Sequence, residues 1–213
     1  MAETWRATAK AERRERYLRE AARLFAARGF HAVSIEELSA AAGVTGPALY
    51  RHFAGKEAVL AELLLDASER LLAGAAATVA KGDEPLPTLA DLVAFHVDFA
   101  LSEADVIRVQ ERELPSLAAE QNREVRSLQR RYGALWLAVL QRARSAVPEA
   151  EWAVRLPAAF GLLNSTPYLP AGTDEARVRA LLAGMALDAL LGAGERPAPP
   201  INPAGPAPAA AAG

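Results

Sequence analysis

The sequence predicts an all-α fold, and three observations carry the prediction. Apolar residues make up 52% of the 213-residue chain but aromatics only 6%, so the core must be assembled mainly from Ala, Leu and Val, as in helices packed on helices. No sustained alternation of β-branched residues marks a strand. Residues 34–56, SIEELSAAAGVTGPALYRHFAGK, read as two short helices joined by a tight turn, a helix-turn-helix.

The elements follow in order. After a loose arm at 1–9, a first helix is expected over 10–28, with Leu18, Ala21, Ala22 and Phe25 on its inner face and Gly29 ending it. Ser34 and Glu37 form an S-x-x-E capping box that opens a second helix. Gly43 falls where a helix C-terminus takes a left-handed residue. Thr45 is placed to cap a third helix over 46–53, whose first turn tolerates Pro47 because that N–H has no intrahelical partner. This helix is too short to stand alone, so Leu49 and Phe53 must anchor it. A fourth helix starts near Lys56 with Val59, Leu60, Leu63 and Leu64 inward. KGDEPLP at 81–87 is the clearest interior break. Helices are then expected over 88–101, 103–113, 120–146, 149–164 and 173–191, with a kink at Pro157. From Gly192 a Pro/Ala-rich, low-complexity run has no means to form a core and is expected to be disordered. The organisation is therefore a helix-turn-helix head over 1–55, a helical body over 56–191 and a tail over 192–213, about nine helices in all.

The net charge of −2 is uneven. Residues 1–56 hold ten basic and six acidic side chains, and the remainder fourteen and twenty. A +4 head on a −6 body suits a protein that presents one end to phosphates, although a solvated first helix with Glu–Arg pairs gives the same split. The absence of cysteine excludes disulfides, Cys-ligated zinc and thiol redox sensing. No apolar window of about 18 residues is free of charge, and no apolar signal core opens the chain, so a cytoplasmic protein without a membrane partner is expected. There is no G-x-S-x-G, P-loop, Rossmann glycine pattern or metal-ligand cluster. No catalytic residue, metal or cofactor is therefore expected. A DNA-binding regulator is favoured over an enzyme, and a protein-only helical adaptor is the alternative that the basic head argues against.

Gly29–Phe30, then SIEELSAAAGV, TGPALYRHF and the Lys56–Glu57 pair, in this spacing, resemble the N-terminal domain of TetR-family (tetracycline-repressor) transcriptional repressors over about residues 10–66. Gly55 departs from the Ser or Asp common in the family, and Gly is an acceptable cap. The resemblance implies that Thr45, Tyr50, His52 and Lys56 contact the backbone of double-stranded DNA and that Ala48 faces bases. The residues give their own reasons. Gly46 and Pro47 keep the helix start slim, so backbone can approach a duplex. The Thr45 hydroxyl and the free N–H groups suit a phosphate oxygen. Tyr50 and His52 carry polar tips on apolar bodies. Arg51 can reach guanine or phosphate, and Lys56, beside the free N–H groups of the fourth helix, makes a phosphate clamp.

For the body, the resemblance implies a homodimer formed through the last two helices, bound to a palindromic operator, and a pocket for a small-molecule effector. Trp152, Leu156, Ala159, Phe160 and Leu163 make an apolar stripe on the eighth helix, and Val178, Leu181, Leu182, Met185 and Ala189 one on the ninth. They form either a four-helix dimer seam or packing within one subunit. The ligand-binding candidates are Phe95, Phe99, Val109, Trp136, Phe160 and Asn164, with Val106 and Tyr132 also considered. Arg108/Arg112 and Arg126/Arg130 are pairs four apart, read as a solvated ion-pair face or as an anionic headgroup site at the pocket mouth. RVQERELPSL with GVTGPALYRHF resembles a subgroup tied to fatty-acid and acyl-CoA metabolism, which implies an acyl-CoA effector. His96 is assigned to a core or surface role, because Asp98, two residues on, lies on another face.

Overall fold

The computed structural model describes residues 2–170 and 172–192, with side chains from Arg13 onward. Among these are nine α-helices and no strand: α1 (Ala2–Arg28), α2 (Ile35–Ala41), α3 (Gly46–Tyr50), α4 (Lys56–Lys81), α5 (Pro85–Ser102), α6 (Ala104–Glu113), α7 (Ala119–Ala143), α8 (Glu149–Leu163) and α9 (Glu175–Leu191). Short 3₁₀ turns follow α6 at Leu114–Ser116 and α8 at Thr166–Tyr168. The tail expected to be disordered lies outside the described residues, apart from Gly192.

Local chemistry sets most helix ends. The Ser34 Oγ accepts from the Glu37 N–H at 3.2 Å, and the Glu37 carboxylate accepts from the Ser34 N–H at 2.8 Å, closing the capping box. That N–H and the Arg28 guanidinium, 2.6 Å away, hold the Glu37 carboxyl down at about 2. Gly29 (φ 84°) and Gly43 (φ 70°) occupy the left-handed region that ends α1 and α2.

Three expectations need correction. Helix α1 begins at Ala2, so the arm is helical; nothing in AETWRATAK breaks a helix. Helix α5 begins at Pro85, because Pro85 and Pro87 sit in a first turn whose N–H groups have no intrahelical partner. Helix α3 ends at Tyr50, and Arg51 and His52 fall in the following turn.

Two cores result. The first joins the inner faces of α1, α2 and α3 to the N-terminal half of α4, and continues into Val106, Val109, Leu114 and Val125. The second gathers α5, α7, α8 and α9 around Leu92, Val97, Trp136, Trp152, Leu163, Leu182 and Leu190. Trp152, Leu156, Ala159, Leu163, Val178 and Leu182 face this core within one subunit. The stripe read on α8 is therefore intramolecular. Val154 on α8 and Leu181 and Met185 on α9 point outward instead.

Helices α4 and α5 approach closely at Gly74, where a Cβ would lie 2.1 Å from the Phe95 ring. Gly133, within α7, has open space in that direction. Gly74→Ala should therefore destabilise the protein by about 1–3 kcal/mol through overpacking. Gly133→Ala should stabilise it by about 0.5–1 kcal/mol through helix propensity. Thermal melts that shift in the same direction for both would show that the close approach is not specific.

Candidate functional site

The head presents a small surface on a well-anchored element. Leu49 and Phe53, 1% and 3% exposed, fix α3 against the first core. Pro47, Tyr50 and Arg51 are exposed; Gly46, Ala48 and His52 are half-buried. His52 packs on Tyr17 of α1, with ring centres 5.3 Å apart. Thr45 takes an extended N-cap conformation, and its carbonyl accepts from Ala48 and Leu49. Its hydroxyl makes no capping bond, contrary to expectation, and is exposed.

Lys56 is differently employed than expected. Its Nζ donates to the carbonyls of Phe30 (3.3 Å), His31 (3.4 Å) and Val33 (3.2 Å). It also lies 4.7 Å from the centre of the Phe30 ring. An ammonium has three hydrogens, and three carbonyls take them. The side chain ties the α1–α2 turn to the start of α4.

In the body, a cavity of about 270 Å³ opens between five helices. Ala67, Ser68 and Leu71 line it from α4, His96 and Phe99 from α5, and Val106, Ile107 and Gln110 from α6. Gln129 and Tyr132 of α7, Phe160 of α8 and Asn164 just beyond α8 complete the wall. Three expected ligand residues, Phe99, Phe160 and Asn164, are thus brought together.

The other five are not. The Phe95 ring is spent on the Gly74 contact, Val109 is fully buried in the first core, and Trp136 stands behind the wall, edge-on to Phe160 at 5.3 Å. Arg126 and Arg130 are exposed, and Arg126 bonds Asn122 at 2.9 Å. Neither lines the cavity, and their exposure suits the solvated face that was one of the two readings of this pair. Arg108 bonds the Pro167 carbonyl and lies over Tyr168. Arg112 is taken by the head.

Sequence reasoning missed His96. It is 3% exposed, and its Nδ1 lies 2.8 Å from the Tyr132 hydroxyl and its Nε2 3.0 Å from the Asn164 Oδ1. Phe160 stacks on the imidazole at 5.5 Å. Burial lowers its pKa to about 4, so the ring is neutral at physiological pH. Burial likewise pushes the Tyr132 phenol up. The partners come from α7 and from the residue that caps α8, and no local spacing could have shown them.

Helix α6 joins cavity and head. Arg112 donates to the Phe25 and Ala26 carbonyls, both at 3.1 Å, which are C-terminal groups of α1. Glu113, 7% exposed, accepts from the Phe30 N–H at 3.2 Å and from Arg112 at 3.3 Å. Among the described residues no group of three or more metal-ligating side chains occurs, and no helix is long and apolar enough to cross a membrane.

The family model for bacterial regulatory proteins of the tetR family matches residues 18–63, and that for the tetracycline repressor-like C-terminal domain matches 82–190. The HTH-type transcriptional repressor KstR2 of Rhodococcus jostii is 30% identical over 133 residues, 62% of this chain and 65% of that protein. The HTH-type transcriptional regulator YdgC of Bacillus subtilis is 43% identical over 60 residues, 28% of this chain and 31% of that one. The matched stretches therefore span less than two thirds of either relative. A TetR-family regulator from Bordetella parapertussis superposes with a TM-score of 0.76 at 24% identity, covering 84% of this chain and 95% of that one. The chain belongs to the tetR family of bacterial regulatory proteins, and is a regulator of transcription with a DNA-binding helix-turn-helix rather than an enzyme.

Proposed function

We propose that this protein is a ligand-responsive repressor that binds a palindromic operator as a homodimer and leaves it when a small molecule occupies the α4–α8 cavity. The observation that carries the proposal is the double attachment of α6. Val106, Ile107 and Gln110 line the cavity, and Arg112 and Glu113 hold the end of α1. An effector that fits only a shifted α6 would favour a different head position and so weaken the operator complex. A gel-shift titration with the promoter of the chain's own gene tests the DNA half of this reading.

On the DNA side, Thr45, Gly46, Pro47, Ala48, Tyr50, Arg51 and His52 are the groove-facing set, with Tyr50 54% exposed. The dimer is supported by the outward apolar face, Val154 on α8 with Leu181 and Met185 on α9. The acyl-CoA effector gains no support from the arginines, since none of the four lines the cavity.

Four outcomes are expected. Replacing Leu181 and Met185 with Glu and Lys should yield a monomer by analytical ultracentrifugation and abolish operator binding at concentrations where the wild type is bound; a dimer that persists would move the seam elsewhere. Arg51→Ala should lower the salt dependence of operator binding by about one unit of slope if it meets phosphate. Lys56→Met should leave that slope unchanged and lower head stability, and a drop of about one unit would restore Lys56 to the phosphate contacts. Arg112→Met should cost about 1–2 kcal/mol and make the head melt before the body. A single transition at the wild-type temperature would remove α6 as the link.

A further inference from the structure

We propose that the cavity accepts an electrically neutral, largely apolar molecule bearing a carbonyl or hydroxyl oxygen, and that Asn164 and Tyr132, positioned by His96, recognise that oxygen. This rests on reading the cavity as the effector site and names the class of effector.

The lining contains no Lys, Arg, Asp or Glu. Several guanidinium groups on the surrounding helices are engaged elsewhere, Arg108 with Pro167, Arg112 with Phe25 and Ala26, Arg70 with Asp66 and Glu103, and Arg126 with Asn122, and the exposed Arg130 is not among the lining residues. A carboxylate or phosphate drawn inside would lose its hydration and find no cation. The walls made by Leu71, Phe99, Val106, Ile107 and Phe160 suit a hydrocarbon body. At about 270 Å³ the space is below the roughly 300–1,000 Å³ of drug-sized sites, so the body is small.

The polar lining is uncharged, and in the His96–Tyr132–Asn164 triad the hydrogens can be assigned. A neutral imidazole has one donor and one acceptor. The Asn164 Oδ1 only accepts, so the His96 Nε2 carries the hydrogen. Its Nδ1 then accepts from the Tyr132 hydroxyl. Both ring nitrogens are consumed, which makes His96 a positioning residue with nothing left for a ligand. What this triad leaves free beside the cavity is the Asn164 amide N–H₂, which donates, and the lone pairs of the Tyr132 oxygen, which accept; the Ser68 hydroxyl donates to the Leu64 carbonyl at 2.7 Å, and Gln110 and Gln129 also line the wall. A carbonyl oxygen answers the first; a hydroxyl answers both.

Calorimetry on the full chain with matched probes tests this. Tetralone and tetralol carry the oxygen, tetralin lacks it, and tetralin carboxylate replaces it with a charge; methyl heptyl ketone and octanoate repeat the comparison on an open chain. The neutral oxygen-bearing probes should bind, tetralin about three- to tenfold more weakly for the loss of one hydrogen bond, and neither carboxylate measurably. Asn164→Leu should erase the preference for tetralone over tetralin while tetralin still binds, and His96→Phe should reduce the preference by freeing Tyr132 and Asn164. Should Asn164→Leu fail to fold, Asn164→Asp keeps the shape, removes the donor and should lose the same preference. The proposal is overturned if a carboxylate binds as tightly as its ketone, if the ketone preference survives the loss of the Asn164 amide, or if no neutral probe binds. A parallel gel shift separates the two readings. A probe that binds as expected yet leaves the operator complex intact counts against effector release and not against the ligand class. A chain that binds operator but no neutral probe overturns the class alone.

Discussion

The last turn of α1 leaves carbonyl groups without intrahelical donors, and how they are satisfied shapes the rest of the molecule. A helix end that is not solvated needs donors from somewhere. Here the Ala26 carbonyl receives one from Arg112, eighty-six positions away, and the same guanidinium joins the Gly29 N–H on the Phe25 carbonyl. The Glu113 carboxylate, largely buried, accepts from that guanidinium and closes the turn through the Phe30 N–H. Gly29 makes the approach possible: it holds a left-handed φ of 84°, and a Cβ there would lie 3.3 Å from the Arg112 guanidinium. Because the helix that supplies both side chains also walls the cavity, head and body cannot shift independently.

The recognition helix depends on the same economy of short elements held by neighbours. Helix α3 has five residues, far below the length at which helices persist alone. Its order comes from Leu49 and Phe53 in the core, from Tyr17 against His52, and from the turn fixed by Gly43. Lys56 adds a staple across the α1–α2 turn. The result is a rigid, slim helix start with exposed polar tips, which is what positioning on a phosphate backbone requires. The cation at Lys56 supports this presentation from behind.

The parts of the fold governed by neighbours in sequence were legible. The capping box, the left-handed glycines and the inward leucines of α4 each depend on residues within a few positions, and each is where the sequence placed it. The prolines of α5 were legible in type but misread in position: Pro85 and Pro87 mark a helix start as readily as a break. The cavity was legible only in part. Phe99, Phe160 and Asn164 reach it, whereas Phe95 does not because Gly74, on another helix, lets the α4 backbone come close. His96 was unreadable for the same reason, since its partners lie thirty-six and sixty-eight positions away. The arginines misled because a guanidinium looks alike in sequence whether it awaits an anion or caps a carbonyl. Only the tertiary fold decides.

That distinction also bears on how, under the proposed effector reading, a cavity without charge would control a head that works by charge. The two ends of the protein use different physics. The head meets a polyanion at its surface, where long-range attraction acts. The cavity is lined by neutral amides, a phenol, a neutral imidazole and hydrocarbon, where selectivity comes from shape and a few hydrogen bonds. On that reading, communication between them would not run through the ligand's charge and would be mechanical. A ligand shifts an equilibrium only by its differential affinity for two states, so what matters is which face of the cavity yields. Helix α6 has ten residues and is fixed to α1 at its C-terminal end, whereas α4 and α7 are long and pack along one another through the body. Of the lining elements, α6 is the one whose side chains also grip the end of α1, so under the proposed effector reading it is the one through which a small ligand's modest binding energy would reach the head.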